Sequence, residues 1–364
     1  MPNLFEQIVD KDNFRKAYKK TLQNGGKYRR EAMIFARDET YNLEELRQSL
    51  IKDTYELSGY IRFSIFEPKE RVVDAPHYKD KIIQHALNTV LKELYMPSFI
   101  VDSYACLNGR GTHKCASRIQ HFLRKAKWEY GIDAYIVKID IKKFFYSIDR
   151  DVLKNLLHKK IKCKRTIKLL FKIIDSAGSI APLGLPLGNT ISQICANIYM
   201  DRLDQYAKRR LSLKYYVRYM DDCVAILPNK DTARTVLTLM CKFIKDVLHL
   251  QANKDKTKIF PILQGINIVG FKIYTTHRLL RDDCKKKIKR KVKAFPQLIL
   301  NKRLSTRTAE RILNSWKGHS SHACSYNFML RLLRGHSFIY RQKDVLRVSL
   351  NSLEGDTWQD ATHI

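Results

Sequence analysis

Two adjacent acidic residues stand inside an apolar stretch of this 364-residue chain. In YYVRYMDDCVAIL, Val, Tyr and Ile flank Asp221 and Asp222 on both sides, which predicts a β-hairpin with two carboxylates at its tip. An acidic pair on its own is most often an exposed surface turn, but these apolar flanks would hold the pair against a buried sheet. Buried carboxylates are costly unless cations neutralise them, so the pattern indicates a cation site.

A third acid has the same setting. Asp140 ends the β-rich run AYIVKIDI, and a sheet could bring it beside Asp221 although 81 residues (221 − 140) separate them. Three carboxylates at strand ends can hold two Mg²⁺ ions about 4 Å apart, with Mn²⁺ as a possible substitute. Such ions align a hydroxyl with a phosphate and stabilise the leaving pyrophosphate. Asp140, Asp221 and Asp222 are therefore the candidate catalytic and metal-binding acids.

The charge of the chain predicts a polyanionic partner. Lys and Arg total 68 against 36 acids, a net charge of +32, and neutralising phosphates releases their counterions. A passive, ribosome-like basic protein would show the same excess. Between Lys285 and Lys293 seven of nine residues are basic, while Ile288, Val292 and Phe295 share one helical face. This predicts a basic helix with an apolar back, suited to a nucleic-acid backbone; a solvated helix face is the alternative.

The remaining periodicities predict an α+β sheet with helices on one side. No stretch approaches the roughly 18 uncharged apolar residues of a membrane span, and the N-terminus lacks a signal peptide. Helices are expected within 4–58, where Asn42 would be an N-cap, and over 80–95, 142–157, 191–211 and 232–248. Strands are expected over 60–74, with a turn at Pro68, and over 266–274.

The cysteines and histidines do not predict a metal centre. Eight scattered cysteines without a CxxC pair indicate reduced, mostly buried thiols. His319, His322 and Cys324 lack both a fourth ligand and the spacing of a zinc site. A soluble, intracellular protein is expected.

Seven segments, in order, resemble the motifs of reverse transcriptases. VKIDIKKFF, GLPLGNTISQ, YMDD, NKDKT and INIVGFKI resemble polymerase motifs A to E, and EPKERVVDAPHYKDKIIQHAL and SYACLNGRGTHKCASRIQHFL resemble the two finger motifs. The resemblance covers roughly residues 4 to 340 and implies an RNA-directed DNA polymerase with a right-hand fold. It implies N-terminal helices and fingers over 1–133, a palm over 134–275, a basic helical thumb over 276–345 and a tail over 346–364.

The resemblance also implies roles for individual residues. Asp140, Asp221 and the carbonyl of Ile141 would bind the metals with help from Asp222, and Lys256 would be the acid for pyrophosphate. Phe145 would exclude a 2′-hydroxyl, unless it packs in the core with Phe144. The dNTP site would comprise Lys69, Arg71, Phe145, Leu187, Gly188 and Gln193, and Gly270 and Phe271 would hold the primer end. Contacts to the nucleic-acid backbone would come from Arg110, Lys285, Lys286, Lys287, Lys289, Arg290, Lys291 and Lys293.

The segment LGNTISQ resembles one subfamily, the reverse transcriptases of diversity-generating retroelements. SWKGHSSHACSYNFM and LFEQIVDKDNFRKAYKKT resemble the same group. This implies a cytoplasmic enzyme of a bacterium or phage-infected cell that copies a template-repeat RNA for mutagenic retrohoming, with errors mainly opposite adenines. It also implies an accessory protein, a small helical bundle that oligomerises. Leu187 replaces a usual Gln and would loosen checking of the nascent base pair; neutral packing is the alternative.

Other functions fit parts of the same pattern. A retron, intron-encoded or phage-defence reverse transcriptase would share motifs A to E. A non-catalytic RNA-binding protein on the same scaffold would explain the charge but not the three acids. A third alternative is an untemplated polymerase, whose products would not match the template when sequenced.

Overall fold

The computed structural model describes residues 3–66, 70–176 and 183–334. The turn predicted at Pro68, the dNTP contact predicted at Lys69 and the tail over 346–364 therefore lie outside the described residues. The helices are α1 (Leu4–Ile8), α2 (Lys11–Thr21), α3 (Arg30–Phe35), α4 (Glu39–Ile51), α5 (Tyr78–Tyr95), α6 (Thr112–Tyr130), α7 (Phe144–Ser147), α8 (Arg150–Lys160), α9 (Lys164–Asp175), α10 (Thr190–Gln205), α11 (Lys230–Asp246), α12 (Asp282–Leu300), α13 (Thr306–Ser320) and α14 (Tyr326–Arg334). The strands are β1 (Tyr60–Ile65), β2 (Arg71–Pro76), β3 (Tyr135–Ile139), β4 (Tyr215–Tyr219), β5 (Asp222–Leu227), β6 (Lys258–Pro261), β7 (Ile266–Ile268), β8 (Phe271–Ile273) and β9 (Arg278–Leu280).

The described residues group into two compact units. The first contains the chain up to Arg118 together with Ala126–Pro261, and the second contains Ile119–Lys125 and the described residues from Ile262 onward. The division after Pro261 falls inside the range predicted for the palm, and the assignment of fingers, palm and thumb stays a prediction.

An antiparallel sheet in the order β4-β5-β3-β6 forms the centre of the first unit. Strand β3 pairs with β5 on one side and with β6 on the other. Helix α11 packs on β3, β5 and β6 because its apolar residues recur on one face, with Ala233, Val236, Met240 and Ile244 all buried. The side chain of Asn229 begins the helix by accepting a hydrogen bond from the N–H of Thr232 at 2.8 Å.

Helix α10 is the most enclosed element beside this sheet. It packs against α5, α8 and α11, and most of its residues are buried. Its N-cap, Asn189, is 1% exposed and accepts a hydrogen bond from the N–H of Ile191 at 2.7 Å. Nδ2 of Asn189 also lies 3.3 Å from the hydroxyl oxygen of Tyr60 on β1. The start of α10 is thereby attached to the antiparallel pair of strands β1 and β2.

The described part of the second unit combines a small sheet with α12, α13, α14 and a segment of α6. Strands β7, β8 and β9 are antiparallel neighbours. On α12, Ile288, Val292 and Phe295 are at most 3% exposed and pack against Leu313 and Leu332 of the following helices. This confirms the apolar back that the sequence predicted for the basic helix.

Three secondary-structure predictions are wrong at their ends or interiors. Residues 52–58 are not helical, because α4 ends at Ile51. Asn42 is not an N-cap: α4 already begins at Glu39, and Nδ2 of Asn42 donates to the carbonyl of Phe35 at 3.0 Å. The helix expected over 142–157 is split, since Asp149 is extended and its carboxylate caps a new helix, α8.

The strand expected over 266–274 is also wrong, because the chain turns back within it. Val269 and Gly270 have φ values of 44° and 89°, and they connect β7 to β8 as a two-residue hairpin turn. Left-handed backbone is rare for a β-branched residue, so the apolar pattern concealed the turn.

None of the described helices combines the length and apolarity that crossing a membrane requires. All eight cysteines are free, but only Cys115, Cys195 and Cys223 are buried. The expectation of mostly buried thiols is therefore wrong.

Candidate active site

Strands β4 and β5 form the hairpin that the sequence predicted. Tyr219 pairs with Asp222, so Met220 and Asp221 make a two-residue turn. Met220 has a φ of 56°, a left-handed conformation that non-glycine residues seldom adopt. Asp221 thus lies in the turn and Asp222 begins β5, with both residues half-buried.

Asp140 lies at the same edge of the sheet. Ile139 pairs with Cys223 in the antiparallel ladder between β3 and β5, so Asp140 follows opposite Asp222. Asp140 is 6% exposed and Ile141 is 2% exposed. The fold therefore brings together acids that the sequence separates widely, while their role as metal ligands stays a prediction.

Two lysines neutralise two of these acids. Nζ of Lys256 lies 2.9 and 2.8 Å from the two carboxylate oxygens of Asp140. Nζ of Lys138 lies 3.1 Å from Oδ1 of Asp222. The loop before Lys256 is fixed by Asn253, which donates its backbone N–H to the carbonyl of Asp140 at 2.7 Å and its side-chain amide to the carboxylate at 3.2 Å.

Of these three residues, only Lys256 was predicted from the sequence, and Lys138 and Asn253 were not. A lysine within the apolar strand AYIVKIDI was the available indication for Lys138, because a charge on a half-buried strand needs an opposite charge nearby. Nothing local marked Asn253, whose bonds to Asp140 depend on how the chain returns to the sheet.

The carboxyl group of Asp221 experiences excess negative charge. Burial raises its pKa to about 6, the charges of Asp222 and Asp140 add to the increase, and Lys256 opposes it. Oδ1 of Asp222 is buried, and among the described residues it accepts no hydrogen bond in addition to its ion pair with Lys138. These features favour a further cation at the hairpin tip.

The donors at this edge suit Mg²⁺ by type, since carboxylate oxygens are hard ligands. In the part of the chain that the structure describes, however, no three acidic, histidine or cysteine side chains are arranged as a complete ligand set. Asp140 holds Lys256 instead. A divalent cation at Asp140 would therefore compete with the ammonium group of Lys256 for the carboxylate oxygens.

Melting the metal-free protein at two pH values tests the burial of Asp221. A carboxyl whose pKa is raised in the folded state favours folding below its unfolded pKa, and this contribution is lost as the pH rises through about 6. Above that pH the charged carboxylate lowers the free energy of unfolding by at most about 3 kcal/mol. We expect Asp221→Asn to raise the melting temperature in EDTA near pH 7.5 and to leave it unchanged near pH 4.

A matched control is Asp231→Asn, which changes an exposed acid at the start of α11. It should not raise the melting temperature at either pH. Equal melting temperatures for Asp221→Asn and the unsubstituted protein near pH 7.5 would contradict the raised pKa.

Phe144 and Phe145 occupy different environments. Phe144 is 4% exposed and belongs to the core. Phe145 is half-buried and packs edge-to-face on Phe144 with ring centroids 5.4 Å apart. The core interpretation therefore describes Phe144, and the role of Phe145 in excluding a 2′-hydroxyl stays a prediction.

The segment that carries Leu187 and Gly188 is fastened to strand β2. The backbone N–H of Asp74 donates to the carbonyl of Leu187 at 2.8 Å. Gly188 has a φ of 100°, and a Cβ there would approach Cγ1 of Val73 to 2.7 Å, so this close passage requires glycine. Leu187 is half-buried beside β2, whereas Gln193 is exposed on the first turn of α10.

Arg71 and Arg110, the other basic residues predicted to bind substrate or nucleic acid in the first unit, differ in their surroundings. Arg71 is exposed at the first position of β2. Nη1 of Arg110 donates to the carbonyls of Ile100 and Ser103 at 2.8 and 2.7 Å. Arg110 thus fastens a loop of the protein itself, and its predicted contact with nucleic acid would have to use the rest of the guanidinium.

In the second unit, the predicted primer grip is the turn between β7 and β8. Phe271 is fully buried and its ring stacks on that of His319, with centroids 4.5 Å apart. A Cβ at Gly270 would lie 3.0 Å from Nε2 of His319. His319, which belongs to the segment SWKGHSSHACSYNFM, therefore supports this turn directly.

Helix α12 carries the seven basic residues predicted to contact a duplex. Two of these side chains also make contacts within the second unit. Lys285 pairs with Asp282 at 3.0 Å, and Nζ of Lys289 lies 5.6 Å from the centre of the Phe328 ring. The exposed residues are Lys286, Lys289, Arg290 and Lys293, and the half-buried ones are Lys285, Lys287 and Lys291.

Comparison with known proteins gives one family match and several relatives. The profile of the family described as "Reverse transcriptase (RNA-dependent DNA polymerase)" matches residues 67–273, more than half of the chain. The COX1/OXI3 intron 2 protein of Saccharomyces cerevisiae is 23% identical and aligns over 54% of this chain and 30% of its own length. Protein YkfC of Escherichia coli is 25% identical, with 70% and 75% covered. The group II intron-encoded protein LtrA of Lactococcus lactis subsp. cremoris is 27% identical, with 58% and 36% covered. The chain thus spans about a third of the two intron proteins.

Two solved structures show weak similarity. Telomerase from Candida albicans, in complex with a TWJ fragment of telomeric RNA, aligns with a TM-score of 0.45 and 13% identity over 69% of this chain and 55% of its own. Apo telomerase from Candida tropicalis aligns with a TM-score of 0.48 and 15% identity over 66% and 53%. These scores add no weight to the family match.

Proposed function

The chain belongs to the reverse transcriptase family of RNA-dependent DNA polymerases, and from that premise we propose that it copies an RNA template into DNA. The α+β right-hand polymerase fold predicted from the sequence is confirmed. The observation that carries the proposal is the position of Asp140 opposite Asp222, with Asp221 in the adjoining turn. The substrates would be dNTPs and a template RNA, and the product an RNA–DNA hybrid gripped through its backbone.

The site would work by positioning and charge neutralisation. Two Mg²⁺ ions, when bound, would activate the primer hydroxyl and stabilise the leaving pyrophosphate. Asp140, Asp221, Asp222 and the carbonyl of Ile141 would hold them. Lys256, released from Asp140, would be free to give a proton to pyrophosphate, while the ion pair with Lys138 would orient Asp222.

The finer assignment is to the diversity-generating retroelements. It is supported by LGNTISQ and by the late segment that contains His319. On this proposal the enzyme copies a template-repeat RNA and makes errors mainly opposite template adenines. It would do so in the cytoplasm of a bacterium or phage-infected cell. It would act with a small helical-bundle accessory protein and use residues 1–133 as fingers, 134–275 as palm and 276–345 as thumb. The second candidate is a reverse transcriptase of the intron-encoded kind, which the similarity to the yeast and Lactococcus proteins favours.

Primer extension on a defined RNA template with Mg²⁺ and dNTPs tests the proposal. We expect DNA whose sequence follows the template, and sequencing should find errors concentrated opposite template adenines. Accurate copying would favour the intron-encoded kind. Extension that ignores the template, or no extension on any RNA, would overturn the polymerase assignment.

Substituting Phe145→Val should relax discrimination against ribonucleotides. A smaller side chain beside the sugar leaves space for the 2′-hydroxyl. We expect rNTP incorporation relative to dNTP to rise about 10- to 100-fold, each tenfold corresponding to about 1.4 kcal/mol of lost repulsion. Competition assays with matched dNTP and rNTP measure this. Tyr146→Phe, at an exposed neighbour on the same helix, is the control, and unchanged selectivity for Phe145→Val would reject the role.

Substituting Leu187→Gln should lower misincorporation opposite adenine. The added amide could hydrogen-bond near the nucleotide and restore geometric checking, an effect of about tenfold for one polar contact. Deep sequencing of products from an adenine-rich template would measure it. Leu183→Gln introduces the same side chain at an exposed position of the same segment and should leave the error rate unchanged. An unaltered error rate for Leu187→Gln would support neutral packing instead.

A further inference from the structure

Arg218 is a charged residue enclosed within the protein, two positions before the hairpin turn. Its side chain and that of Asp204 on α10 are both 0% exposed. Nε of Arg218 lies 2.9 and 2.8 Å from the two carboxylate oxygens of Asp204, and Nη2 lies 2.8 Å from Oδ2. The guanidinium therefore hydrogen-bonds the carboxylate through Nε, while Nη2 lies within ion-pair distance but is not directed along a hydrogen bond. Lysine has no planar group that could hold the carboxylate and also present a second donor nitrogen elsewhere.

The other end of the same guanidinium reaches the turn. Nη1 donates to the carbonyl of Met220 at 2.9 Å and to Oδ1 of Asn197 at 3.1 Å. The hydroxyl of Tyr216 donates to Asp204 at 2.8 Å, which further fixes the carboxylate. One side chain thus links two residues of α10 to the peptide that joins Met220 to Asp221.

The backbone of Arg218 is held as firmly as its side chain. Its N–H donates to the carbonyl of Asp102 at 2.9 Å, and its carbonyl accepts from the N–H of Tyr104 at 3.0 Å. Burial would lower the pKa of the guanidinium, but the charge of Asp204 outweighs that effect and raises it. Arg218 is therefore a fixed, permanently charged donor.

Stability alone does not explain such a pair. Removing two charges from water is expensive, and apolar residues of similar volume often replace a buried ion pair without loss of stability. The feature that apolar residues could not reproduce is the donor to the carbonyl of Met220, whose left-handed backbone sets the direction of the next residue.

We propose that Arg218 is a positioning residue: oriented by Asp204 and Asn197, it fixes the Met220 peptide and thereby the direction of the Asp221 carboxylate. The inference deepens the proposed polymerase function and rests on it for its catalytic consequence. Arg218 itself touches neither metal nor substrate in this role.

The double variant Arg218→Met with Asp204→Asn tests the role without leaving a buried charge unpaired. The amide oxygen introduced by Asp204→Asn can still accept from Tyr216, and Met fills the volume of the arginine stem. We expect the melting temperature, template–primer affinity and KM for dNTP to stay near those of the unsubstituted enzyme, while kcat falls about 100-fold, as for small displacements of a reacting group. A purely structural role would leave kcat intact once stability is retained, so kcat within about threefold of the unsubstituted enzyme would overturn the proposal.

Hydrogen–deuterium exchange on the metal-free protein provides a readout independent of activity. Amides in 219–223 should exchange about tenfold faster in the double variant, with exchange in α11 unchanged, because the turn loses the donor that holds its peptide. Arg218→Lys is the second variant: it keeps a charge for Asp204 but not the reach to Met220, and should show the same faster exchange and lowered kcat. Protection equal to that of the unsubstituted protein in either folded variant would overturn the inference. If the unsubstituted enzyme extends no primer, the polymerase proposal fails while the exchange result still decides the role of Arg218.

Discussion

Asp221→Asn should abolish DNA synthesis on an RNA template, lowering kcat by at least about 1,000-fold, the upper range for removing one preorganised electrostatic contact. The amide has the shape of the carboxylate but none of its charge, so the site loses a ligand for the divalent cations. The turn should remain intact, because Tyr219 and Asp222 still pair across it. Affinity for template RNA should change little, since the basic residues of α12 are unaltered.

Steady-state primer extension and filter binding on the same RNA measure both quantities. Asp231→Asn, the exposed acid on α11, is the control and should behave like the unsubstituted enzyme. Because Asp221→Asn is expected to melt at a higher temperature near pH 7.5, unfolding could not account for lost activity. Retention of more than about a tenth of kcat would contradict the assignment of Asp221, since a metal ligand contributes far more than one such factor.

Arg218→Met alone should destabilise the protein by about 3–5 kcal/mol, the usual cost of breaking a buried ion pair from one side. Asp204 is 0% exposed and would lose its cationic partner, with only the hydroxyl of Tyr216 still donating to it at 2.8 Å. Equilibrium urea denaturation followed by circular dichroism would measure the change. We expect Asp204→Asn, added to the same protein, to recover most of the loss.

The matched control for this prediction is Arg234→Met, which breaks an ion pair between side chains that are 61% and 88% exposed on α11. Exposed pairs contribute little, so its denaturation midpoint should be unchanged. If Arg218→Met were as stable as Arg234→Met, the buried ion pair would be energetically unimportant.

The parts of the fold that could be predicted from the sequence are those that short patterns determine. The hairpin around Asp221 and the apolar face of α12 follow from strand flanks and helical spacing within a dozen residues. Asp140 could be placed because it ends a strand. The split at Asp149 and the turn at Val269 were missed, since apolar periodicity continues through both and only the backbone conformation breaks it.

The contacts that organise the candidate site could not be predicted in the same way. Lys138 meets Asp222, and Lys256 meets Asp140, only because β5, β3 and β6 lie in that order. The partnership of Arg218 with Asp204 depends on where α10 crosses behind the hairpin. Register and packing between distant segments fix such pairs, and a single sequence contains no local mark of either.

The tight fit between Gly270 and His319 has a consequence for protein engineering. Because a Cβ at position 270 would lie 3.0 Å from Nε2 of His319, so that the imidazole would have to move, the hairpin and the later helix are matched to each other although 49 residues (319 − 270) separate them. A chimera that imports the C-terminal segment of a relative must import that relative's hairpin as well. Recombination boundaries in this part of the chain are therefore best placed before Ile266 or after Arg334, so that the hairpin with Gly270 and the helix with His319 come from the same parent.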